Sequence, residues 1–138
     1  GVDQRHESDI EGLGRIPSEQ QLKSKKVPSF NVIGNSPLVL RESLLDEVYT
    51  MGENFVEAAK RIVSPGMNGP FCIEGVYDEN AKFTSFEFSA RIVAGTNIYM
   101  DGSPYYSLLF NESMSMGKRI AREIKIAEEK NEIEKIVT

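Results

Sequence analysis

The strongest periodic pattern in the chain covers residues 86–91, where apolar and polar residues alternate one by one. Such alternation is typical of a β-strand with one face toward a core and the other toward solvent or a ligand. We therefore predict that the apolar face packs into a core and that the polar face is available for chemistry. The two faces carry Phe86, Phe88 and Ala90 on one side and Glu87, Ser89 and Arg91 on the other.

A second β-rich run, residues 70–77, precedes this strand and is separated from it by residues 78–81. The sequence Asp-Glu-Asn-Ala between the runs is typical of a turn, so we predict an antiparallel hairpin. With Glu79 and Asn80 as a two-residue loop, large apolar side chains meet on one face, and a slip of one residue would lose that face. The predicted pairs are Ile73 with Phe86, Phe71 with Phe88, Gly75 with Thr84 and Glu74 with Ser85.

This register places Glu74 diagonal to Glu87 on the polar face, at a distance of roughly 7 Å. Two carboxylates this close repel each other in the absence of a cation, and together with substrate phosphates they can bind Mg²⁺. Glutamates on a solvent face are also common, so the alternative is an exposed surface pair. The small-residue segment 92–97 favours a ligand site, because a backbone with small side chains can approach a ligand closely.

Helical periodicity is clearest after Ser43, which we expect to cap a helix that runs to about Val63 and stops at Pro65 and Gly66. Its apolar stripe comprises Leu44, Val48, Met51, Phe55, Ala58, Ala59 and Ile62. We further predict strands over 2–7, 10–16 and 29–35, a connector over 17–22, helices over 105–110 and 116–131, and a last turn over 132–137. This order of elements predicts an α+β fold in which an antiparallel sheet is covered by helices on one side.

Composition and charge argue against several kinds of partner. The 138 residues, 40% of them hydrophobic, predict one compact domain with a buried core. The formal net charge of -5 argues against a nucleic-acid partner, because neutralising phosphates needs a clustered basic face. No run approaches the ~20 apolar residues that span a bilayer, and no signal peptide is visible, so we expect no membrane partner. The single cysteine, Cys72, excludes an internal disulfide and fits a cytoplasmic location.

The end of the hairpin resembles the end of an ATP-grasp ligase. In that superfamily a carboxylate on one strand and a Glu-x-Asn-x-Arg element on the next hold the Mg²⁺ ions of the nucleotide. Here Glu74 is followed by Glu-Phe-Ser-Ala-Arg at residues 87–91 and by Gly-Thr-Asn at residues 95–97. Ser89 stands where most ATP-grasp proteins carry Asn, which weakens its assignment as a metal ligand.

Three further segments are similar to the archaeal PurP family of purine (IMP) biosynthesis. They are Arg-Glu-Ser-Leu-Leu at 41–45, Pro-Gly-Met-x-Gly-Pro-Phe-Cys at 65–72 and Ser-Met-Gly-x-Arg-Ile-Ala-Arg-Glu-Ile-Lys at 115–125. The likeness extends from the first residue to Ile136. The resemblance implies an ATP-dependent ligase that formylates the ribonucleotide AICAR with formate, giving FAICAR through formyl phosphate.

The resemblance also implies roles for particular residues. Glu74 and Glu87 would bind Mg²⁺ or Mn²⁺. The other implied roles are catalysis by Arg91 and Ser89, ATP binding by Glu7, and substrate binding by Asn35, Gly95, Thr96 and Asn97. From the residues alone, Glu7 could equally be an exposed acid at a strand end, and Asn35 before Ser-Pro could be an ordinary turn residue.

The chain begins with Gly1 and contains no glycine-rich phosphate loop with a lysine. We therefore expect residues 1–138 to be the C-terminal ATP-grasp lobe of a larger protein. An upstream nucleotide-binding lobe and an N-terminal domain would complete the active site, so the chain alone would be inactive. Two alternatives stay open: a nucleotide-binding paralogue without ligase activity, and an oligomerisation domain that self-associates through residues 114–137. We also expect a homo-oligomer.

Overall fold

The computed structural model describes residues 1–137, apart from the side chains of Ile10 and Glu11. The described residues have an α+β architecture with antiparallel strand pairing, as predicted. The strands are β1 (Val2–Glu7), β2 (Val32–Leu38), β3 (Cys72–Tyr77) and β4 (Phe83–Ser89). The helices are α1 (Ile10–Gly14), α2 (Ser18–Ser24), α3 (Glu42–Ile62), α4 (Pro104–Phe110) and α5 (Met116–Glu129), and 3₁₀ helices cover Ala94–Ile98 and Ile133–Lys135.

The strands form two separate two-stranded sheets, β1-β2 and β3-β4, where a single sheet was predicted. In the first sheet Arg5 lies opposite Asn35, and Asp3 lies opposite Pro37. The strand predicted to end at Asn35 therefore continues through Pro37. Proline is tolerated at this position because β2 pairs on one side only, which leaves its other edge free of the hydrogen bonds that proline cannot make.

The segment after β1 is helical, and two predictions there are wrong. Helix α1 replaces the strand predicted over residues 10–16, and helix α2 replaces the connector predicted over residues 17–22. The apolar residues Ile10, Leu13 and Ile16 recur every third position, which is a helical spacing and not the alternation of a strand.

The three later helices are confirmed, with ends within two residues of the predicted ones. Ser43 does not cap α3, because the N-cap position is occupied by Arg41 and carries no side-chain hydrogen bond. The cap of α5 is Ser115, whose Oγ accepts a hydrogen bond from the Lys118 N–H at 3.2 Å. No α3 residue is fully buried, and Ile62 at the end of the predicted apolar stripe is 79% exposed.

The β3-β4 hairpin forms as predicted, but its loop has three residues, 79–81. The Asp78 N–H donates to the Lys82 carbonyl at 3.1 Å, and Ala81 adopts a left-handed φ of 59°. Asp78 Oδ1 accepts hydrogen bonds from the backbone N–H groups of Asn80 and Lys82, at 2.9 and 2.8 Å. A side chain that satisfies two loop amides stabilises this longer loop over the two-residue turn.

A β-bulge then shifts the pairing again, because Phe86 is an extra residue on β4. Glu74 lies opposite Glu87, and we call these two residues the acidic pair. The predicted register is therefore wrong, since a bulge depends on how two strands fit and leaves no trace in an alternation pattern. The observed partners are Ile73 with Phe88, Gly75 with Ser85, Val76 with Thr84 and Tyr77 with Phe83.

The two phenylalanines predicted for the core are largely exposed, Phe86 by 66% and Phe88 by 54%. Phe88 still contacts Phe55 of α3, with ring centroids 4.4 Å apart, and the Phe71 ring lies 5.5 Å from Phe55. Because successive residues of a strand point to opposite faces, α3 covers the face of the hairpin that does not carry the acidic pair.

Few described residues are fully buried. They are the apolar residues Leu40, Met114 and Ala127, the polar residue Ser103, and Gly95. The prediction of a well-buried core is therefore wrong for the described part of the chain, where many apolar side chains occupy exposed positions. None of the described helices is long and apolar enough to cross a membrane.

The 3₁₀ helix Ala94–Ile98, predicted as a loop, lies beside the β1-β2 sheet. Tyr99 follows it and places its hydroxyl between the two strands, within hydrogen-bond distance of the Val2 carbonyl and of the N–H and carbonyl of Leu38. This contact brings the small-residue segment next to β1.

Candidate functional site

An open cleft of about 2500 Å³ is lined by residues of both sheets, of α3 and α5, and of the two 3₁₀ helices. The structure brings seven of the nine predicted site residues into its lining: Glu7, Asn35, Glu74, Glu87, Arg91, Gly95 and Thr96. Ser89 lies outside this lining, and Asn97 lines a separate pocket of about 440 Å³ that shares Thr96 with the cleft. These residues therefore border the same open space, although they come from distant parts of the sequence; their roles stay predictions.

The first sheet contributes one polar face to the cleft. Asp3, Arg5 and Glu7 occupy every second position of β1, so their side chains point to the same face of the sheet. Asn35 lies directly opposite Arg5 and shares that face. All four residues line the cleft.

The second sheet contributes the acidic pair. Direct opposition brings two Cβ atoms to about 5 Å, closer than the diagonal arrangement that the sequence predicted. The Glu74 side chain is 21% exposed, and Glu87 is exposed. Among the described residues, no group of three or more His, Cys, Asp or Glu is arranged around a common metal position. Mg²⁺ is usually held by one or two carboxylates together with phosphate oxygens and water, and the acidic pair fits that mode.

Arg5, which the sequence analysis missed, connects two predicted sites. Its Nε lies 2.8 Å from Glu7 Oε1, and its Nη1 lies 2.7 Å from Glu74 Oε2. One guanidinium thus orients the carboxylate predicted for ATP and a carboxylate predicted for metal. The available signal was the alternation of charge along β1, where Asp3, Arg5 and Glu7 are negative, positive and negative.

Asp3, also missed, connects two residues predicted to bind substrate. The Asn35 Nδ2 donates to Asp3 Oδ2 at 2.6 Å. The same carboxylate lies against Gly95, where an added Cβ would overlap its atoms. Only glycine permits this approach, which gives a structural reason for the small residue at position 95.

Arg91 follows the end of β4, because the strand stops at Ser89 and not at residue 91 as predicted. Its Nη1 donates to the Ile92 carbonyl at 3.0 Å, and its exposed side chain lines the cleft. Ser89 lies opposite Cys72, on the same face as the acidic pair. The guanidinium is thus available to an anion in the cleft, whereas the Ser89 side chain is outside the cleft lining.

Cys72 lines the cleft as a neutral thiol. Burial raises its pKa, and the negative charge of the nearby Glu74 raises the pKa further. Because the thiolate is the reactive form of cysteine, a raised pKa argues against a nucleophilic role at neutral pH.

All of these residues fall within one family domain. A family model described as "Domain of unknown function (DUF1297)" matches residues 1–138. The chain belongs to this family. The match covers both sheets, the acidic pair and the helices that surround the cleft.

Two archaeal relatives of this chain are named as synthetases. The chain is 87% identical over 138 residues to a Nitrosopumilus maritimus protein named 5-formaminoimidazole-4-carboxamide-1-(beta)-D-ribofuranosyl 5'-monophosphate synthetase. A Pyrococcus horikoshii protein of the same name is 51% identical over 137 residues. The alignments cover 100% and 99% of this chain but 40% and 41% of those proteins. The chain thus spans about two fifths of the length of these relatives.

One solved structure has the same fold over nearly the whole chain. It is the crystal structure of an IMP biosynthesis protein PurP from Thermococcus kodakaraensis, with a TM-score of 0.72 and 34% sequence identity. The match covers 98% of this chain and 42% of that chain. The resemblance to the PurP family that the sequence motifs indicate is confirmed.

Proposed function

We propose that this chain is the C-terminal lobe of an ATP-grasp ligase that formylates AICAR, 5-aminoimidazole-4-carboxamide ribonucleotide, with formate and ATP. The observation that carries the proposal is a set of contacts: Arg5 joins Glu7 to Glu74, and Asp3 joins Asn35 to Gly95. The synthetase name of the 87%-identical relative supports it. In this proposal the remaining length of the full protein supplies the other nucleotide-binding lobe.

The proposed reaction has two steps. A formate oxygen attacks the γ-phosphorus of ATP, ADP leaves, and formyl phosphate forms. The 5-amino nitrogen of AICAR then attacks the formyl carbon, phosphate leaves, and the nitrogen loses a proton to give FAICAR. Activation is needed because formate itself is a poor acyl donor.

The residues of the cleft have complementary tasks in this scheme. The acidic pair holds Mg²⁺ or Mn²⁺, which neutralises charge on the transferring phosphoryl group. Arg91 binds phosphate oxygens with its planar, permanently charged guanidinium. Arg5 holds Glu7 in place for the ATP ribose and, before metal binds, neutralises Glu74. The backbone at Gly95 and Thr96 limits the entry of water, which would hydrolyse formyl phosphate.

The test uses the full-length protein, with FAICAR formation measured while AICAR, formate, ATP or divalent metal is omitted in turn. We expect product only when all four are present, with one phosphate released for each FAICAR. Replacing formate by a formyl-folate asks whether the one-carbon donor is formate. Product formation with the folate and not with formate would contradict the proposed donor.

The same experiment separates the two alternatives. A nucleotide-binding paralogue would bind Mg-ATP in calorimetry and form no FAICAR. A domain that serves only assembly would bind none of the substrates. Self-association of the full protein, which we expect, is measured separately by sedimentation.

A further inference from the structure

The orientation of the Asn35 side chain is determined by its partner. An ionised carboxylate can only accept hydrogen bonds, so the Asn35 atom that contacts Asp3 must be the amide nitrogen. The contact is short, 2.6 Å from Asn35 Nδ2 to Asp3 Oδ2, and both residues are partly buried. The Asn35 Oδ1 therefore points away from Asp3, and no described residue donates a hydrogen bond to it.

Asp3 has a second close neighbour. Its carboxylate lies against the buried Gly95, and the neighbouring Tyr99 hydroxyl ties the start of β1 to the end of β2. The Asp3 carboxylate thus contacts Asn35 and Gly95 at the same time.

We propose that Asp3 is a positioning residue that fixes the Asn35 amide with its oxygen toward the ligand, so that the cleft selects a ligand with an N–H donor at that point. This inference rests on the proposed function and specifies which chemical group of AICAR is read. The carboxamide NH₂ of AICAR is such a donor. A ligand that offers only acceptors there would face the Asn35 oxygen without a hydrogen bond.

The test is a calorimetric titration of the full-length protein with two ligands, AICAR and the analogue in which a methyl ester replaces the carboxamide. The ester is neutral and has no N–H at this position, so charge repulsion does not complicate the comparison. For wild type we expect AICAR to bind at least ~10-fold more tightly than the ester, because one hydrogen-bonding group is left unpaired.

The decisive variant is Asp3→Asn. The side-chain amide of an asparagine at position 3 can donate as well as accept a hydrogen bond. The Asn35 amide can therefore rotate so that its N–H faces the ester. We expect AICAR to bind more weakly and the ester to bind more tightly, so that the ratio of their affinities approaches one. The affinity for Mg-ATP should not change. Asp46→Asn, the same change at an exposed position of α3 outside the cleft lining, should keep the wild-type ratio.

Each outcome is informative. A folded Asp3→Asn protein that loses affinity equally for both ligands would show a purely structural role and overturn the inference. Wild-type protein that binds both ligands equally overturns the inference but not the proposed function, whereas wild type that binds neither overturns both. If Asp3→Asn does not fold, Asp3→Ser replaces it, and the wild-type comparison stands in either case.

Discussion

Arg5 Nη1 lies 2.7 Å from Glu74 Oε2, and this ion pair joins β1 of the first sheet to β3 of the second. The Arg5 side chain is 42% exposed, so the pair adds only about 0–1 kcal/mol to stability. Its consequence is local: Arg5 supplies the positive charge nearest to the acidic pair in the absence of metal. The metal ion of the proposed function would therefore compete with Arg5 for the Glu74 carboxylate.

The first prediction concerns Arg5→Gln. Without the guanidinium, Glu7 and Glu74 lose their neutralising charge, so the full-length variant should melt at a lower temperature in metal-free buffer. Added Mg²⁺ should raise its melting temperature more than that of wild type, because the metal replaces the lost charge. The measurement is a thermal-shift series in Mg²⁺ alone.

Arg122→Gln is the matched control for this series. Arg122 pairs with Glu112 at 3.3 Å, has a side chain 45% exposed, and does not line the cleft. Its variant should respond to Mg²⁺ as wild type does. Equal Mg²⁺ responses of the Arg5 variant and wild type would show that Arg5 does not compete with metal.

The second prediction is that Glu87→Gln lowers FAICAR formation by at least ~10²-fold while the protein stays folded. Glu87 is exposed, so the change opens no cavity, and it removes the repulsion between two directly opposed carboxylates. Its melting temperature in metal-free buffer should therefore equal or exceed that of wild type. Activity and melting are measured side by side, with exposed Glu128→Gln on α5 as control; near-normal turnover at saturating Mg²⁺ would disprove the metal assignment.

The third prediction contrasts two glycines. Gly95→Ala places a Cβ in the Asp3 carboxylate, so we expect a loss of about 1–3 kcal/mol in stability from overpacking. AICAR affinity should fall because Asp3 is displaced, and Mg-ATP affinity should change little. Calorimetry with each ligand and chemical denaturation provide the measurements.

Gly52→Ala should change stability in the opposite direction. Gly52 is inside α3, and a Cβ there would lie 3.8 Å from Phe71 Cζ, an ordinary contact. Removing a glycine from a helix interior should stabilise the protein by up to ~1 kcal/mol. If both alanine variants lost stability equally, the tight approach of Asp3 to Gly95 would not explain the first result.

The fourth prediction ranks the aromatic residues. Phe55 contacts both Phe71 and Phe88, so Phe55→Ala should cost about 2–3 kcal/mol, below the full cost of truncating a core phenylalanine because Phe55 is only half-buried. Phe86→Ala should lower stability by less than ~1 kcal/mol, because Phe86 is already 66% exposed. Unfolding in denaturant, followed by circular dichroism, gives the free energy of unfolding of each variant. A larger loss for Phe86→Ala than for Phe55→Ala would contradict the bulged register.

Features that depend on neighbouring residues could be predicted from the sequence. Helices α3, α4 and α5 follow from their 3.6-residue periodicity, and the β3-β4 hairpin follows from two alternating runs around an Asp-Glu-Asn-Ala turn. The family resemblance is equally a property of the linear sequence. For α1, a run of three apolar residues at every third position supported a helix, and the strand prediction used the wrong period.

Features that depend on the fit of distant segments were decided only by the tertiary structure. The bulge at Phe86 places Glu74 opposite Glu87, and one inserted residue changes every pair beyond it. The contacts of Arg5 with Glu74 and of Asp3 with Asn35 join residues 69 and 32 positions apart. Long-range contacts of this kind carry no local sequence period, because they depend on strand pairing for Asp3 with Asn35 and on the placement of β1 beside β3 for Arg5 with Glu74. The sequence therefore determined most of the elements and the chemical types at the site, and the pairing and placement of the strands decided which side chains meet.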